Sequence, residues 1–240
     1  MGEIFGRERR LTEGRWIVAI LLLGSLLTFF VDAMFDVGYW GRSFFKVILF
    51  LGMPLVLHFS FHEVNVFTVL ETKREKGSFR KSLLLGALVY VLLMGLYLVV
   101  QQFISLETIE GAISENFMVD RNNFVLVALY ISFVNSFLEE FFFRGFGYLK
   151  LRRSFGKGSA YVFSSLLFAL YHIGMVDGWA NPLITGLAIL GLFLSGIFFN
   201  LLNDKNGNIY NSYMVHMFAN FAINTIGLHM FGIIHLPFLG

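Results

Sequence analysis

Long, unbroken apolar runs constrain this chain more than any other feature. A helix needs about 20 apolar residues to cross the hydrocarbon core of a bilayer, and a chain inside lipid must satisfy its backbone polar groups internally. Such runs extend over Trp16 to Phe35, Phe44 to Phe61, Ser82 to Phe103, Phe124 to Leu149, Ser159 to Ile173, Leu183 to Leu202 and Tyr210 to Leu228. A shorter stretch, His229 to Phe238, reads as an eighth span or a re-entrant end. The runs are continuous rather than alternating, which excludes a barrel. The expected fold is therefore all-α: one polytopic membrane bundle of seven or eight helices spanning residues 1–240. Within it, 124–228 is the expected functional core and 1–123 supplies additional spans.

Composition agrees. Hydrophobic residues make up 57% of the chain, charged residues 14%, and mean hydropathy is +0.71, outside the range of soluble domains. The thirty phenylalanines read as lipid-facing side chains. With no cysteine, disulfides, thiolate metal sites and cysteine nucleophiles are excluded. The expected surroundings are membrane lipid, with no nucleic-acid partner.

Charge is distributed unevenly over the breaks. Of the eighteen Lys and Arg residues, fifteen lie before the first span, between the second and third, from Arg144 to Lys157, and at Lys205. The alternate breaks hold only Arg42, Lys46 and Arg121, and the loop after Phe103 is acidic, with Glu107, Glu110, Glu115 and Asp120. By the positive-inside rule the N-terminus is cytoplasmic, in a multi-pass protein of the cell membrane. The first run is too long for a secretory signal, lacks a small-x-small cleavage site and precedes further spans.

The fourth run, FVLVALYISFVNSFLEEFFFRG, is interrupted by Glu139, Glu140 and Arg144. A charge in the middle of a span costs about 2.5 to 3.5 kcal/mol on insertion scales, so these residues mark a functional site. Residues four apart share a helix face, so Glu140 pairs with Arg144, while Glu139 points about 100° away. Glu139 then shares its surroundings with Asn135 and Ser136, which carry no charge. A carboxylate so placed suits general base catalysis.

Two later spans add polar groups. His172 follows the apolar helix SAYVFSSLLFALYH, and the seventh span holds His216 and Asn220 four residues apart. At 1.5 Å rise per residue, Glu139 lies roughly 16 Å from the Lys150 end, His172 about 21 Å from Gly158, and His216 and Asn220 roughly 9 and 15 Å from Tyr210. These depths allow one shared site. Glu139 helped by His172 would deprotonate water, and His216 with Asn220 would donate to the oxyanion.

EEFFFR at Glu139 to Arg144, FALYH at Phe168 to His172 and HMFAN at His216 to Asn220 resemble, in order, the EExxxR, FxxxH and HxxxN motifs of the CPBP family. That family includes the CAAX proteases and bacteriocin-processing enzymes, also called Abi. The resemblance implies an eight-helix intramembrane bundle and a metal-free glutamic endopeptidase of type II CAAX prenyl endopeptidase character, acting on membrane-associated, possibly prenylated, peptides or proteins. It implies Glu139 and His172 as water activators, His216 and Asn220 as the oxyanion hole, and Glu140 and Arg144 as supports, with no cofactor.

Rival readings follow from the same residues. Glu139, His172 and His216 would satisfy zinc with an open position, making a zinc-dependent membrane protease the runner-up. A non-catalytic membrane regulator or bacteriocin-immunity protein would keep the motifs for structure, and a transporter would use the charges for coupling, although no repeat is visible. His58, His62 and Glu63 have ligand-like spacing but read as interfacial, as do His229 and His235. Gly186, Gly191, Ser195 and Gly196 form a small-residue face suited to helix packing.

Overall fold

The computed structural model describes residues 2–60, 64–72, 78–176 and 182–239, and among these every regular element is helical. In chain order, α1 covers Gly2–Met34, α2 Gly38–Ser60, α3 Ser78–Val100, α4 Leu106–Phe117, α5 Phe124–Phe155, α6 Lys157–Leu170, α7 Pro182–Asp204 and α8 Tyr210–Met230. A 3-10 turn at Val66–Leu70 lies between α2 and α3, and a single helical turn, Ile173–Val176, follows α6.

Among the described residues six helices are long and apolar enough to cross a membrane: α1, α2, α3, α5, α6 with its added turn, and α7. This is fewer than the seven or eight spans expected. The seventh expected span does form, as the 21-residue α8, but it is less apolar because its polar residues look inward. Along one face of α8, three residues at intervals of four meet three on antiparallel α5. Asn224 donates to Ser132 Oγ at 2.9 Å, Asn220 to Ser136 Oγ at 2.8 Å, and His216 Nδ1 lies 3.0 Å from Glu140 Oε1. A four-residue period on both helices keeps each partner on the facing ridge, and inward amides and hydroxyls join spans where lipid offers no partner. The stretch expected as an eighth span or a re-entrant end forms turns, with no helix among the described residues past Met230.

Polar groups face inward and leucines face outward, as expected of a bundle in lipid. Leu84, Leu88, Val91 and Leu92 of α3 are exposed, whereas Ser132, Ser136, Asn200 and Ser212 are buried. The phenylalanines, expected in the lipid layer, divide between the two settings. Phe44, Phe59 and Phe79 are exposed, but Phe141, Phe142, Phe143, Phe146 and Phe168 are buried in the core with Phe50 of α2. Phe50 stacks on Phe142 at 4.3 Å between centroids and meets Phe143 edge-on at 5.3 Å. Two glycines make this closeness possible. A Cβ on Gly24 of α1 would lie 2.7 Å from the Phe142 ring, and one on Gly227 of α8 would lie 2.2 Å from Phe124. Of the small residues on α7, Gly196 packs this way against Ser165, whereas Gly186 and Gly191 face open space.

The acidic connection expected as a loop contains α4. Its start is capped by Ser105, whose Oγ accepts from Thr108 N at 3.2 Å, leaving Glu107 in the first turn where the helix dipole favours it. The basic segments gather at the other end of the bundle. There the start of α1 meets the end of α5, with Gly14 against Ser154 and Phe155. Arg152 and Lys157 share Asp204 at the end of α7.

Candidate active site

Helix α5 carries the charges, and its local winding matters. Over Tyr130–Asn135 and Glu140–Lys150 its backbone bonds run i to i+5, a widened π form that tends to occur at functional sites. More residues per turn means a smaller angular step, which brings the adjacent Glu139 and Glu140 closer than the 100° of an α-helix. Both then reach the same imidazole. His216 Nδ1 lies 3.0 Å from Glu140 Oε1, and Nε2 lies 3.6 Å from Glu139 Oε2.

Glu139 is 1% exposed, and its surroundings are not the uncharged ones expected from the sequence. Asn135, one turn back, donates through Nδ2 to Oε1 at 2.7 Å, and the Tyr171 hydroxyl donates to the same oxygen. Lys46 of α2 contributes a cation: its Nζ is 3.0 Å from Asn135 Oδ1 and 3.6 Å from Glu139 Oε1. Oε1 is thus occupied on three sides, and Oε2 is left toward His216. Asp32 at the end of α1 lies within electrostatic reach of Lys46 and Glu139.

Glu140 and Arg144 are completely buried and pair at 3.4 Å, as their spacing requires. The guanidinium makes no hydrogen bond among the described residues. It lies instead over the rings of Phe168, at 3.8 Å to the centroid, and Phe199, at 5.0 Å. A cation between two aromatic faces is favourable where water is absent. Phe168, the first residue of FALYH, therefore holds the arginine of EEFFFR, and Phe199 also stacks on His216 at 5.0 Å. Glu140 links this pair to His216, so its place is between the imidazole and the guanidinium rather than with Arg144 alone.

His172 stands at the turn that ends α6, with its ring against Tyr171 at 4.1 Å and Phe168 at 4.8 Å between centroids. Its Nδ1 is 2.6 Å from Phe168 O. A carbonyl only accepts, so Nδ1 carries the proton, and in the neutral ring Nε2 is the free lone pair. The ring is within electrostatic reach of Glu139 and His216. Asn220 lies one turn along α8 from His216, and its Nδ2 donates to Ser136 Oγ and, at 3.3 Å, to Ile131 O. Glu139, Glu140, Arg144 and His216 are thus in direct contact, with His172 and Asn220 at the margins of the same cluster.

Asn135 meets Glu139 as its place on the same face predicts, whereas Lys46 and Tyr171 are not site residues in the sequence reading. Lys46 had been counted with a loop, yet it lies inside the second span and is nearly buried, so a cation well within an apolar helix was the available signal. Tyr171 is adjacent to His172 in FALYH, and only the fold distinguishes it from other aromatics.

Two openings adjoin the cluster. A cavity of about 570 Å³ lies beside the turn after His172, lined by Phe29, Asp32, Arg42, Phe117, Ile173 and Met175 among others. An apolar groove of about 620 Å³ between α1 and α6, walled by Leu22, Leu26, Leu167 and Leu170, ends at Tyr171. Among the described residues no group of three His, Cys, Asp or Glu side chains is arranged to hold a metal ion. His58 Nδ1 is 3.0 Å from Val64 O, while His62 and Glu63 lie outside the described residues.

No curated protein and no solved structure matches the chain. The family model described as type II CAAX prenyl endopeptidase Rce1-like matches residues 121–222. That segment includes Glu139, Glu140, Arg144, His172, His216 and Asn220, so the three motifs lie inside it, in order. Over this matched segment, which is less than half of its length, the chain is similar to the Rce1-like type II CAAX prenyl endopeptidases.

Proposed function

We propose that this protein is an intramembrane endopeptidase of the glutamic type that hydrolyses a peptide bond in a membrane-associated peptide or protein. The observation that carries the reading is the asymmetry of the Glu139 carboxylate. Oε1 is held by Asn135, Tyr171 and Lys46, and Oε2 faces His216 Nε2 at 3.6 Å. A base needs one oxygen fixed for orientation and one free to take a proton.

In this reading Glu139 Oε2 removes a proton from water, and the hydroxide adds to the scissile carbonyl carbon. His172, fixed by Phe168 O, offers Nε2 as an acceptor that helps to orient the water. His216, whose Nδ1–H is held by Glu140, acts in this reading as the imidazolium, so that Nε2–H donates to the developing oxyanion. Asn220 joins it by exchanging its bond to Ser136 for one to the oxyanion. The tetrahedral intermediate then collapses, the C–N bond breaks, and the proton held by Glu139 passes to the amine. The products are a carboxylate and an amine, and no covalent enzyme intermediate is formed.

The groove that ends at Tyr171 supports a substrate approaching from the lipid, where an apolar segment or an attached isoprenoid would lie beside Leu22, Leu26 and Leu167. The segregation of basic and acidic ends supports a cytoplasmic N-terminus and residence in the cell membrane as a multi-pass protein. Lys46, whose ammonium lies 3.6 Å from Glu139 Oε1, places a positive charge beside the carboxylate where a second cation would be repelled, and so favours metal-free catalysis. The test is cleavage by purified protein in nanodiscs of a panel of farnesylated and unprenylated membrane peptides, with and without a chelator. The expected rate is the same within about twofold; loss on chelation with recovery on adding zinc contradicts the metal-free mechanism.

A further inference from the structure

At the basic end of the bundle, three separate segments close around the last turns of α5. They are the 3-10 turn Val66–Leu70, the end of α5 itself, and the connection between α7 and α8. Between them lies a cavity of about 420 Å³ whose charged lining, among the described residues, is Lys150, Arg152, Arg153, Lys205 and Glu71. Its walls are joined to each other. Ile209 N donates to Val69 O at 3.2 Å, Asn208 Nδ2 to Glu71 O at 3.3 Å, and the Tyr210 hydroxyl to Leu70 O at 2.9 Å. The cavity is therefore preformed.

Two of its four cations, Lys150 and Arg153, have no carboxylate in ion-pair contact among the described residues. Arg152 is bound to Asp204 at 2.7 Å, but Asp204 also serves Lys157 and Tyr148. Lys150 is 8% exposed, and its ammonium donates to Asn65 O and Thr68 Oγ1, which are neutral acceptors. Glu71 and Glu13 lie within electrostatic reach of the Lys150 ammonium and offset part of its charge. Arg153 forms no ion pair or hydrogen bond among the described residues. On the rim, Gly207 has φ +67, a backbone conformation in which a side chain would be strained.

Depth identifies the ligand. The 32 residues of α5 would extend roughly 48 Å at 1.5 Å each, against about 30 Å of hydrocarbon and 40–45 Å with the headgroup layers. With α5 centred on the bilayer, Lys150 to Arg153 fall roughly 16–20 Å from the midplane, at the level of one headgroup layer. The chemistry that matches several converging Lys and Arg donors at that depth is a phosphate ester. We propose that this cavity binds the phosphate of an anionic lipid headgroup. The proposal stands independently of the peptidase reading.

The test uses full-length protein in phosphatidylcholine nanodiscs, exchanged into detergent with short-chain phosphatidylglycerol or phosphatidylcholine and examined by native mass spectrometry. Wild type is expected to retain phosphatidylglycerol about tenfold or more over phosphatidylcholine. The Arg153→Gln variant, and Arg153→Gln combined with Lys205→Gln, are expected to lose that preference while melting at the wild-type temperature without lipid. Competition with inorganic phosphate separates the sources. Partial displacement of phosphatidylglycerol supports the headgroup, whereas retention of phosphate with no retention of phosphatidylglycerol overturns the lipid assignment. Equal retention of the two lipids, or undiminished preference in both variants, overturns the proposal.

Discussion

Replacing Glu139 by Gln lowers peptide cleavage by about 10²- to 10⁴-fold, the usual contribution of a positioned general base. The substitution is nearly isosteric. Gln Oε1 can still accept from Asn135 and Tyr171, so the fold around Oε1 is preserved. On the other side an amide faces His216 and cannot take a proton from water. The check is the initial rate of purified variant and wild type on any peptide the wild type cleaves, with the two melting curves compared in the same detergent. A rate within a few-fold of wild type would remove Glu139 from the role of base and leave its burial among Lys46, Asn135 and Tyr171 as a structural arrangement.

The largest stability effect is expected at Arg144. Its guanidinium is wholly buried between the rings of Phe168 and Phe199 and 3.4 Å from Glu140. Arg144→Met keeps most of the volume but leaves the Glu140 carboxylate buried with His216 as its only facing group. Removing one partner of a buried ion pair costs about 3–5 kcal/mol, because the remaining charge is uncompensated. The melting temperature should fall on the order of 10 °C. Adding Glu140→Gln removes that orphaned charge while keeping an acceptor for His216 Nδ1, so the double variant should be more stable than Arg144→Met alone. Additive losses in the double-mutant cycle would show that the two residues act separately.

How much of this was legible in the sequence depends on how local each signal is. The span positions were readable because lipid demands uninterrupted apolar length, and the helices begin and end within a few residues of the runs at α5 and α8. The number of spans was less so, since α8, read as an apolar run, forms a helix but carries His216, Asn220 and Asn224 inward against α5 and is not among the helices apolar enough to cross a membrane. Helix α4 had a cap at Ser105, but its acidic residues read as a loop. The contact of Glu140 with Arg144 followed from a four-residue spacing. The convergence of both acids on His216 did not, because it depends on the π winding of α5, which spacing alone does not reveal.

Lys46 shows the limit most clearly. It meets Asn135 across 89 residues of chain, and no periodicity connects the two helices. Its presence inside a span was visible, and the expense of a buried cation is a reason to look for a partner. Which acid it would face was decided by α2 packing beside α5. The aromatic core was misplaced for a related reason: Phe141 to Phe143 and the exposed Phe44 have the same composition, and only the fold assigns one set to the interior.

The central claim is that the Glu139 cluster hydrolyses peptide bonds of membrane-associated substrates. Its most direct test is comparative peptidomics of membranes from cells that carry the wild-type protein or Glu139→Gln at equal abundance, with peptide termini identified. The account predicts at least one membrane-associated peptide that accumulates uncleaved in the variant, with its cleaved termini present only in the wild type. Identical sets of membrane peptide termini in the two strains, with both proteins folded and equally abundant, would contradict it.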